Sequence, residues 1–378
     1  MKNVTVYVLI SILTLQFTFA QKDQLHKKLS PYFYPPDSLK NDFGDYRSPL
    51  IFENGEKVET PEQWSQRRQE IRADWENYLG KWPEFDKAQN FQYLDSIDKD
   101  TYTQYTVKFK WTPNEFTKGY LLVPKNTKSK MPAVVTVFYE AGATLGVGPR
   151  GERLPPYRYS AIELAKRGFI TLALGTDEAS ARHEFSLYYP SIDSVSVQPL
   201  SMLGYAANAA YYALINRTDV DPERIGIMGH SFGGKWAMFA SCLTDNFAAA
   251  AWSDPGIVMQ EDRPSINYWE PWYLGFHPKP WRKRGLITDE NPAYGVYNRL
   301  RADNKNLHEL HALMAPRPFL VSGGAEDPVT RWKVLNHSVA VNNLLGEKER
   351  VAMTNRPKHT LTKEASEMMY TFFEYFLK

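Results

Sequence analysis

The sequence contains very little cysteine and almost no net charge. Cys242 is the only cysteine among 378 residues, which excludes a disulfide within the chain. A domain without disulfides must be stabilised by its hydrophobic core, and a chain of this length can supply one. The formal net charge is only +2, so composition gives no case for nucleic-acid binding.

Long apolar runs are also scarce. The only run of the kind seen in targeting segments covers residues 4–20, follows Lys2 and ends before the polar Gln21. This pattern predicts a secretory signal peptide over residues 1–20, cleaved after Ala20. A membrane anchor is the alternative, but the run is short and has no basic flank on its far side. We therefore expect a secreted or periplasmic protein that is not membrane-bound once the signal peptide is removed.

Apolar segments of strand length alternate with helical segments from about residue 101 onward. Residues 133–139 are continuously apolar, as expected for a strand that is buried on both faces. The alternation predicts an α/β fold over 101–378, with a mostly parallel sheet covered by helices on both faces. The preceding residues 21–100 contain a capping-box pattern that opens a helix at Thr60, and we expect them to wrap the main domain.

Residues 256–312 interrupt this alternation. They hold many aromatic residues among prolines and charges, and Trp269 and Trp272 are candidate substrate contacts. We interpret this insertion as a lid or substrate wall over the active site, with packing filler as the alternative. His308 and His311 flank Glu309 within it, but no third metal ligand is evident, so an exposed helix face is expected there.

The motif G-x-S-x-G occupies residues 229–233. An apolar run of strand length precedes it and an alanine-rich helical segment follows it. This strand–turn–helix context is that of a nucleophile elbow, which holds the hydroxyl of Ser231 above the sheet edge. The N-terminus of the following helix also favours negative charge that develops near the serine.

A serine hydroxyl needs a base to remove its proton and a carboxylate to orient that base. With this motif the three residues follow the chain order serine, acid, histidine, each after a strand. We expect Asp327, in a glycine-rich turn, to be the acid and His359, before the last helix, to be the base. Asp254, at the end of the preceding strand, and Glu326 remain open as alternative acids.

An oxyanion formed during acyl transfer needs two hydrogen-bond donors. The first is expected to be the backbone N–H of Phe232. The second is expected in the loop after the 133–139 strand, with Glu140 and Ala141 as candidates. The predicted reaction needs no cofactor and no metal.

The chain resembles the α/β-hydrolase superfamily over about residues 100–378. More narrowly, it is similar to bacterial carbohydrate esterases of the glucuronoyl-esterase and acetyl-xylan-esterase type, which are related to dienelactone hydrolases. The resemblance is carried by T-P-E-Q-W at 60–64, G-K-W-P at 80–83 and G-H-S-F-G-G-K at 229–235. It implies Ser231 as nucleophile and Lys235 as a contact to a sugar. Glucuronoyl esterases carry arginine directly after the serine, where this chain has Phe232.

The leading hypothesis is an exported serine esterase that hydrolyses an acetyl or uronoyl ester on a carbohydrate. One alternative is a serine peptidase of the prolyl-oligopeptidase type, against which the lack of a propeller-length N-terminal segment argues. Another is a carbohydrate-binding protein with a relic triad. The acyl group, the sugar and the oligomeric state are left open.

Overall fold

The computed structural model describes residues 20–125, 129–176 and 186–378. The predicted signal peptide therefore lies outside the described residues, apart from Ala20. Within the described ranges, no helix combines the length and the apolar character needed to cross a membrane.

A nine-stranded sheet forms the centre of the molecule, in the order β1-β2-β3-β5-β4-β8-β9-β10-β11. The six strands from β5 to β11 in that order pair in parallel, and β1 to β3 form an antiparallel edge. A separate small hairpin is formed by β6 and β7. The strands are β1 (Gln92–Asp98), β2 (Tyr102–Lys110), β3 (Phe116–Pro124), β4 (Met131–Phe138), β5 (Ile170–Gly175), β6 (Tyr189–Ser191), β7 (Ser194–Val197), β8 (Val220–His230), β9 (Ala249–Ser253), β10 (Phe319–Gly323) and β11 (Val351–Asn355).

Helices cover both faces of this sheet. The first, α1, is described over residues 20–29. The others are α2 (Pro61–Leu79), α3 (Ser160–Lys166), α4 (Pro199–Ile215), α5 (Phe232–Cys242), α6 (Gly295–Ala302), α7 (His308–Ala312), α8 (Trp332–Leu344) and α9 (Lys363–Leu377).

Alternation along the central strands divides the core in two. In β4, Val135 and Val137 pack in the larger cluster with residues of α4 and α5, while Val134 packs on the other face with residues of α3 and α9. Both faces of the strand are buried, because side chains of a strand alternate across the sheet. The predicted α/β-hydrolase architecture is confirmed.

The leader helix α2 packs against the main domain. Thr60 caps the helix through the predicted capping box with Gln63. Trp75 on its buried face donates from Nε1 to Glu309 Oε2 at 3.0 Å. Leader and insertion are thus in direct contact.

The insertion after β9 contains two helices: α7, at the position where the sequence led us to expect a helix with His308 and His311, and α6, which was not predicted. The expectation of an exposed helix face at His308 and His311 is wrong, since both side chains are buried. His308 Nε2 instead donates to the leader carbonyl of Arg47 at 2.7 Å. His308 therefore links the insertion to the leader.

Candidate active site

The turn between β8 and α5 has the geometry of a nucleophile elbow. Ser231 has φ 56° and ψ −115°, a left-handed conformation that few residues other than glycine adopt. The turn requires glycine on both sides. A Cβ on Gly229 would lie 2.1 Å from the carbonyl oxygen of Gly233, and a Cβ on Gly233 would lie 2.0 Å from that of Val137. The two glycines therefore let the elbow pack tightly on the end of β4.

Ser231 and His359 lie within hydrogen-bond distance across the carboxyl ends of the parallel strands. His359 Nε2 is 2.9 Å from Ser231 Oγ, and His359 Nδ1 is 2.7 Å from Asp254 Oδ2. Ser231 and His359 were predicted to act together, and the structure places their side chains in contact. The carboxylate that reaches the histidine, however, comes from the loop after β9.

Asp254 therefore stands where Asp327 was predicted. Its side chain is fully buried, and Oδ1 accepts the backbone N–H groups of Glu326 at 3.1 Å and Asp327 at 2.8 Å. These bonds leave Oδ2 directed at His359. Of the alternatives kept open from sequence, Asp254 has the geometry of the third member of a triad.

Asp327 has a different set of partners. Its carboxylate accepts the backbone N–H groups of Gly256 at 2.8 Å and Ile257 at 2.6 Å, and Arg331 Nε lies 3.4 Å away. Burial raises the pKa of Asp327 to about 6, and the neighbouring Asp254 charge adds to the rise. The two aspartates thus hold each other's loops in a reciprocal arrangement, which we call the carboxylate clasp. Asp327 does not contact His359 because its carboxylate points back into the clasp.

Glu326 does not take the place of the acid either. Its contribution to the arrangement is the backbone N–H that Asp254 accepts. The side chain is mostly buried beside the clasp.

One of the predicted oxyanion residues, Phe232, lies beside the end of β4. Phe232 begins α5, a position whose backbone N–H has no acceptor within the helix. Its ring stacks on that of Tyr139, with ring centroids 4.5 Å apart. Glu140 follows in extended conformation and Ala141 opens a 3-10 turn. The end of β4 is therefore packed next to the first amide of α5.

Lys235 does not face the solvent above the serine. It is 2% exposed, its Nζ donates to the carbonyl of Pro255, and the carbonyl of Ser265 lies 3.5 Å away. The ammonium also lies over the ring of Tyr268, 4.7 Å from its centroid. Burial lowers the pKa of Lys235 to about 8. The prediction of a sugar contact is wrong for this arrangement, because the ammonium is buried and bound to the backbone carbonyl of Pro255, directly before the insertion.

The two candidate tryptophans also lie inside the insertion. Trp269 is fully buried, and its Nε1 donates to the carbonyl of Gly285 at 2.9 Å. Trp272 is 8% exposed and its ring lies between Tyr273 and Trp281, with centroid distances of 6.1 and 6.5 Å. The structure therefore contradicts a direct substrate contact for Trp269, and Trp272 packs mainly within the insertion.

His230 and Ser253 form a buried contact beneath the triad that the sequence did not reveal. His230 Nδ1 is 3.1 Å from Ser253 Oγ, and the His230 and His359 rings are 4.8 Å apart. Burial lowers the pKa of His230 well below its usual value, so the ring is neutral. The position of His230 inside the motif was the only available signal, and it does not specify a partner.

A model of the prolyl oligopeptidase family matches residues 207–377. The chain has the α/β-hydrolase fold. A search of curated protein sequences gave no significant match.

Several solved α/β-hydrolases share this architecture at low sequence identity. A glucuronoyl esterase from Solibacter usitatus is 17% identical with a TM-score of 0.69, over 90% of this chain and 100% of the other. A family 15 glucuronoyl esterase from Caldicellulosiruptor kristjansonii is 18% identical with a TM-score of 0.61, over 89% and 91%. A putative acetyl xylan esterase from Bacteroides fragilis is 16% identical with a TM-score of 0.57, over 86% of each chain. The predicted resemblance to carbohydrate esterases is confirmed for the fold, and the family match agrees with the prediction of a serine hydrolase.

Proposed function

We propose that this protein is an exported serine esterase that hydrolyses an acetyl or uronoyl ester on a carbohydrate. The observation that carries the proposal is the continuous contact Ser231 Oγ–His359 Nε2–His359 Nδ1–Asp254 Oδ2. A base within hydrogen-bond distance of a serine at an elbow, oriented by a buried carboxylate, is the arrangement that activates the hydroxyl.

In the acylation half, Ser231 Oγ attacks the ester carbonyl carbon while its proton moves to His359 Nε2. The carbonyl π electrons move to the oxygen, which becomes an oxyanion. Asp254 holds the Nδ1–H of His359 and stabilises the imidazolium that forms. When the tetrahedral adduct collapses, the C–O bond to the alcohol breaks and His359 returns the proton to the leaving oxygen.

In the deacylation half, a water molecule takes the place of the alcohol. His359 removes its proton as the water oxygen bonds to the acyl carbon, and the second tetrahedral adduct expels Ser231 Oγ. The proton returns to the serine and the carboxylic acid leaves. Both adducts need donors for their oxyanion, which we assign to the backbone N–H of Phe232 and to backbone of Glu140 or Ala141.

The substrate class is supported by the solved structures that share the fold. The named neighbours are esterases of glucuronoyl and acetyl-xylan type, and the aromatic insertion follows directly on the acid-bearing loop. Export is supported by the apolar run at residues 4–20 with its basic start.

The first experiment tests whether Ser231 is the nucleophile. Ser231→Ala is expected to abolish hydrolysis of 4-nitrophenyl acetate and labelling by a fluorophosphonate probe while leaving the circular dichroism spectrum unchanged. Retained turnover in a folded variant would overturn the proposal. Acetylated xylan and methyl glucuronate esters, measured in parallel on the wild type, distinguish acetyl from uronoyl specificity.

The second experiment compares the two aspartates. Asp254→Asn keeps the shape but loses the charge that orients His359, so kcat is expected to fall by roughly 10⁴-fold. Asp327→Asn, the matched control, is expected to lower stability and to reduce kcat far less. A larger loss of kcat in Asp327→Asn than in Asp254→Asn would show that the acid has been assigned to the wrong strand.

A serine peptidase is the second candidate function, because residues 207–377 match the prolyl oligopeptidase family. Short chromogenic peptides with proline before the scissile bond provide the test. Peptide turnover that exceeds ester turnover in the same preparation would make the peptidase the better assignment.

A further inference from the structure

Arg356 is a buried arginine that the proposed reaction does not use. It follows β11 and is 6% exposed. Its guanidinium turns beneath the triad and reaches the ends of two neighbouring strands. The acceptors there are Ser322 O at 2.8 Å, Ser322 Oγ at 3.1 Å, Gly323 O at 3.1 Å and Ser253 Oγ at 3.2 Å.

The same guanidinium also holds the loop that carries His359. One Nη2 hydrogen bonds the carbonyl of His359 at 2.8 Å, and Nε bonds the carbonyl of Thr360 at 3.0 Å. All three guanidinium nitrogens therefore have acceptors, and these acceptors belong to three separate segments of the chain. A planar fork can join three segments in fixed directions, which a lysine ammonium on a flexible stem cannot do.

We propose that Arg356 is a positioning residue, which fixes the His359 loop against the ends of β9 and β10. It sets the position of the imidazole through the His359 backbone, so that Nδ1 stays on Asp254 and Nε2 stays on Ser231. Ser253 joins this network from the other side, because its Oγ lies between Arg356 and His230. The inference rests on the proposed function, since it assumes that His359 is the base.

Arg356→Lys tests this role, and Arg317→Lys is the matched control. Arg317 has a side chain only 13% exposed and donates to the carbonyls of Ser241, Phe247 and Leu313, near the start of β10 and away from the triad. Arg356→Lys is expected to lower kcat by about 10²-fold with KM unchanged, because misplacement of a catalytic group by about 1 Å has that effect. Arg317→Lys is expected to lose thermal stability and keep kcat.

A spectroscopic measurement separates positioning from general destabilisation. The His359 Nδ1 proton, held at 2.7 Å from Asp254, is expected to give a low-field proton resonance in the wild type that Arg356→Lys loses and Arg317→Lys keeps. Ser253→Ala removes one acceptor and leaves the arginine in place, so it decides the question if Arg356→Lys does not fold. It is expected to lower kcat by a smaller factor, with KM unchanged.

The inference is overturned if the folded Arg356→Lys keeps the wild-type kcat and the low-field resonance, or if its only effect is a higher KM. Wild-type kcat in Ser253→Ala overturns it if Arg356→Lys does not fold. Failure of the proposed function has a different signature, which is turnover or probe labelling that persists in Ser231→Ala.

Discussion

Acid is expected to loosen the contact between the leader and the catalytic domain. His308 and His337 are buried against each other, with ring centroids 5.0 Å apart, and each donates from Nε2 to a leader carbonyl. The acceptors are Arg47 at 2.7 Å and Phe43 at 3.0 Å. Burial lowers the pKa of His308 to about 4 and that of His337 to about 4, with the Lys305 charge adding to the first shift.

The direction of this pH effect follows from the number of protons bound by the folded and the unfolded chain. Both rings are neutral in the folded protein, whereas below an unfolded pKa of about 6.5 the unfolded chain binds a proton at each. The stability that these two neutral rings contribute is therefore fully present above about pH 6.5, and it is lost as the pH falls toward the folded pKa of about 4. At pH 5 each ring lowers the free energy of unfolding by about 2 kcal/mol, or about 4 kcal/mol for the pair.

Urea unfolding followed by tryptophan fluorescence at pH 7.5 and pH 5 measures this loss. The double variant His308→Gln, His337→Gln keeps a donor for each carbonyl and removes the titration. Its loss of stability between the two pH values is expected to be smaller than that of the wild type by about 4 kcal/mol. Burial raises the pKa of Asp327 to about 6, so its contribution to the free energy of unfolding rises as the pH falls. This contribution is the same in the wild type and the double variant and does not affect their difference.

Equal losses in the wild type and the double variant would refute the argument that these two buried rings cause the acid sensitivity.

Two further substitutions test the clasp and the packing of the insertion. Gly324→Ala would place a Cβ 2.5 Å from Asp254 Oδ2 and 2.7 Å from the carbonyl of Lys358. We expect esterase kcat to fall because Asp254 must move, while circular dichroism reports a folded protein. A wild-type kcat would contradict the role of the clasp in positioning Asp254. Arg282→Met leaves the buried Glu270 carboxylate without the guanidinium that lies 2.9 Å from it. Calorimetry or urea unfolding should therefore show a free energy of unfolding lower by about 3–5 kcal/mol. A decrease below about 1 kcal/mol would contradict a structural role for the pair.

Periodicity and local motif chemistry predicted the architecture because they are properties of neighbouring residues. The apolar run at 133–139 is typical of a strand covered on both faces. The G-x-S-x-G turn needs Gly229 for its close approach to Gly233, and Gly233 for its close approach to Val137. His359 was found because it is the only histidine in the last loop before the final helix.

The acid and the substrate contacts could not be predicted in the same way. Asp254 and Asp327 each follow a strand of the parallel sheet, at the edge where the His359 loop also lies. Their spacing in the sequence therefore does not decide which carboxylate faces His359. Lys235 lies one turn beyond the serine on a helix, but its exposure depends on how the insertion folds over α5. Trp269 was misassigned for the same reason, since an aromatic side chain serves equally in a lid core and in a sugar site.

The carboxylate clasp also makes the position of Asp254 independent of the position of the insertion beyond Ile257. The insertion begins at Gly256, only two residues after Asp254, so a displacement of its first residue would move Asp254 directly. Asp327 holds the backbone N–H groups of Gly256 and Ile257, which moves the pivot of any such displacement beyond Ile257. A displacement of the insertion beyond Ile257 would therefore leave the contact between Asp254 and His359 unchanged.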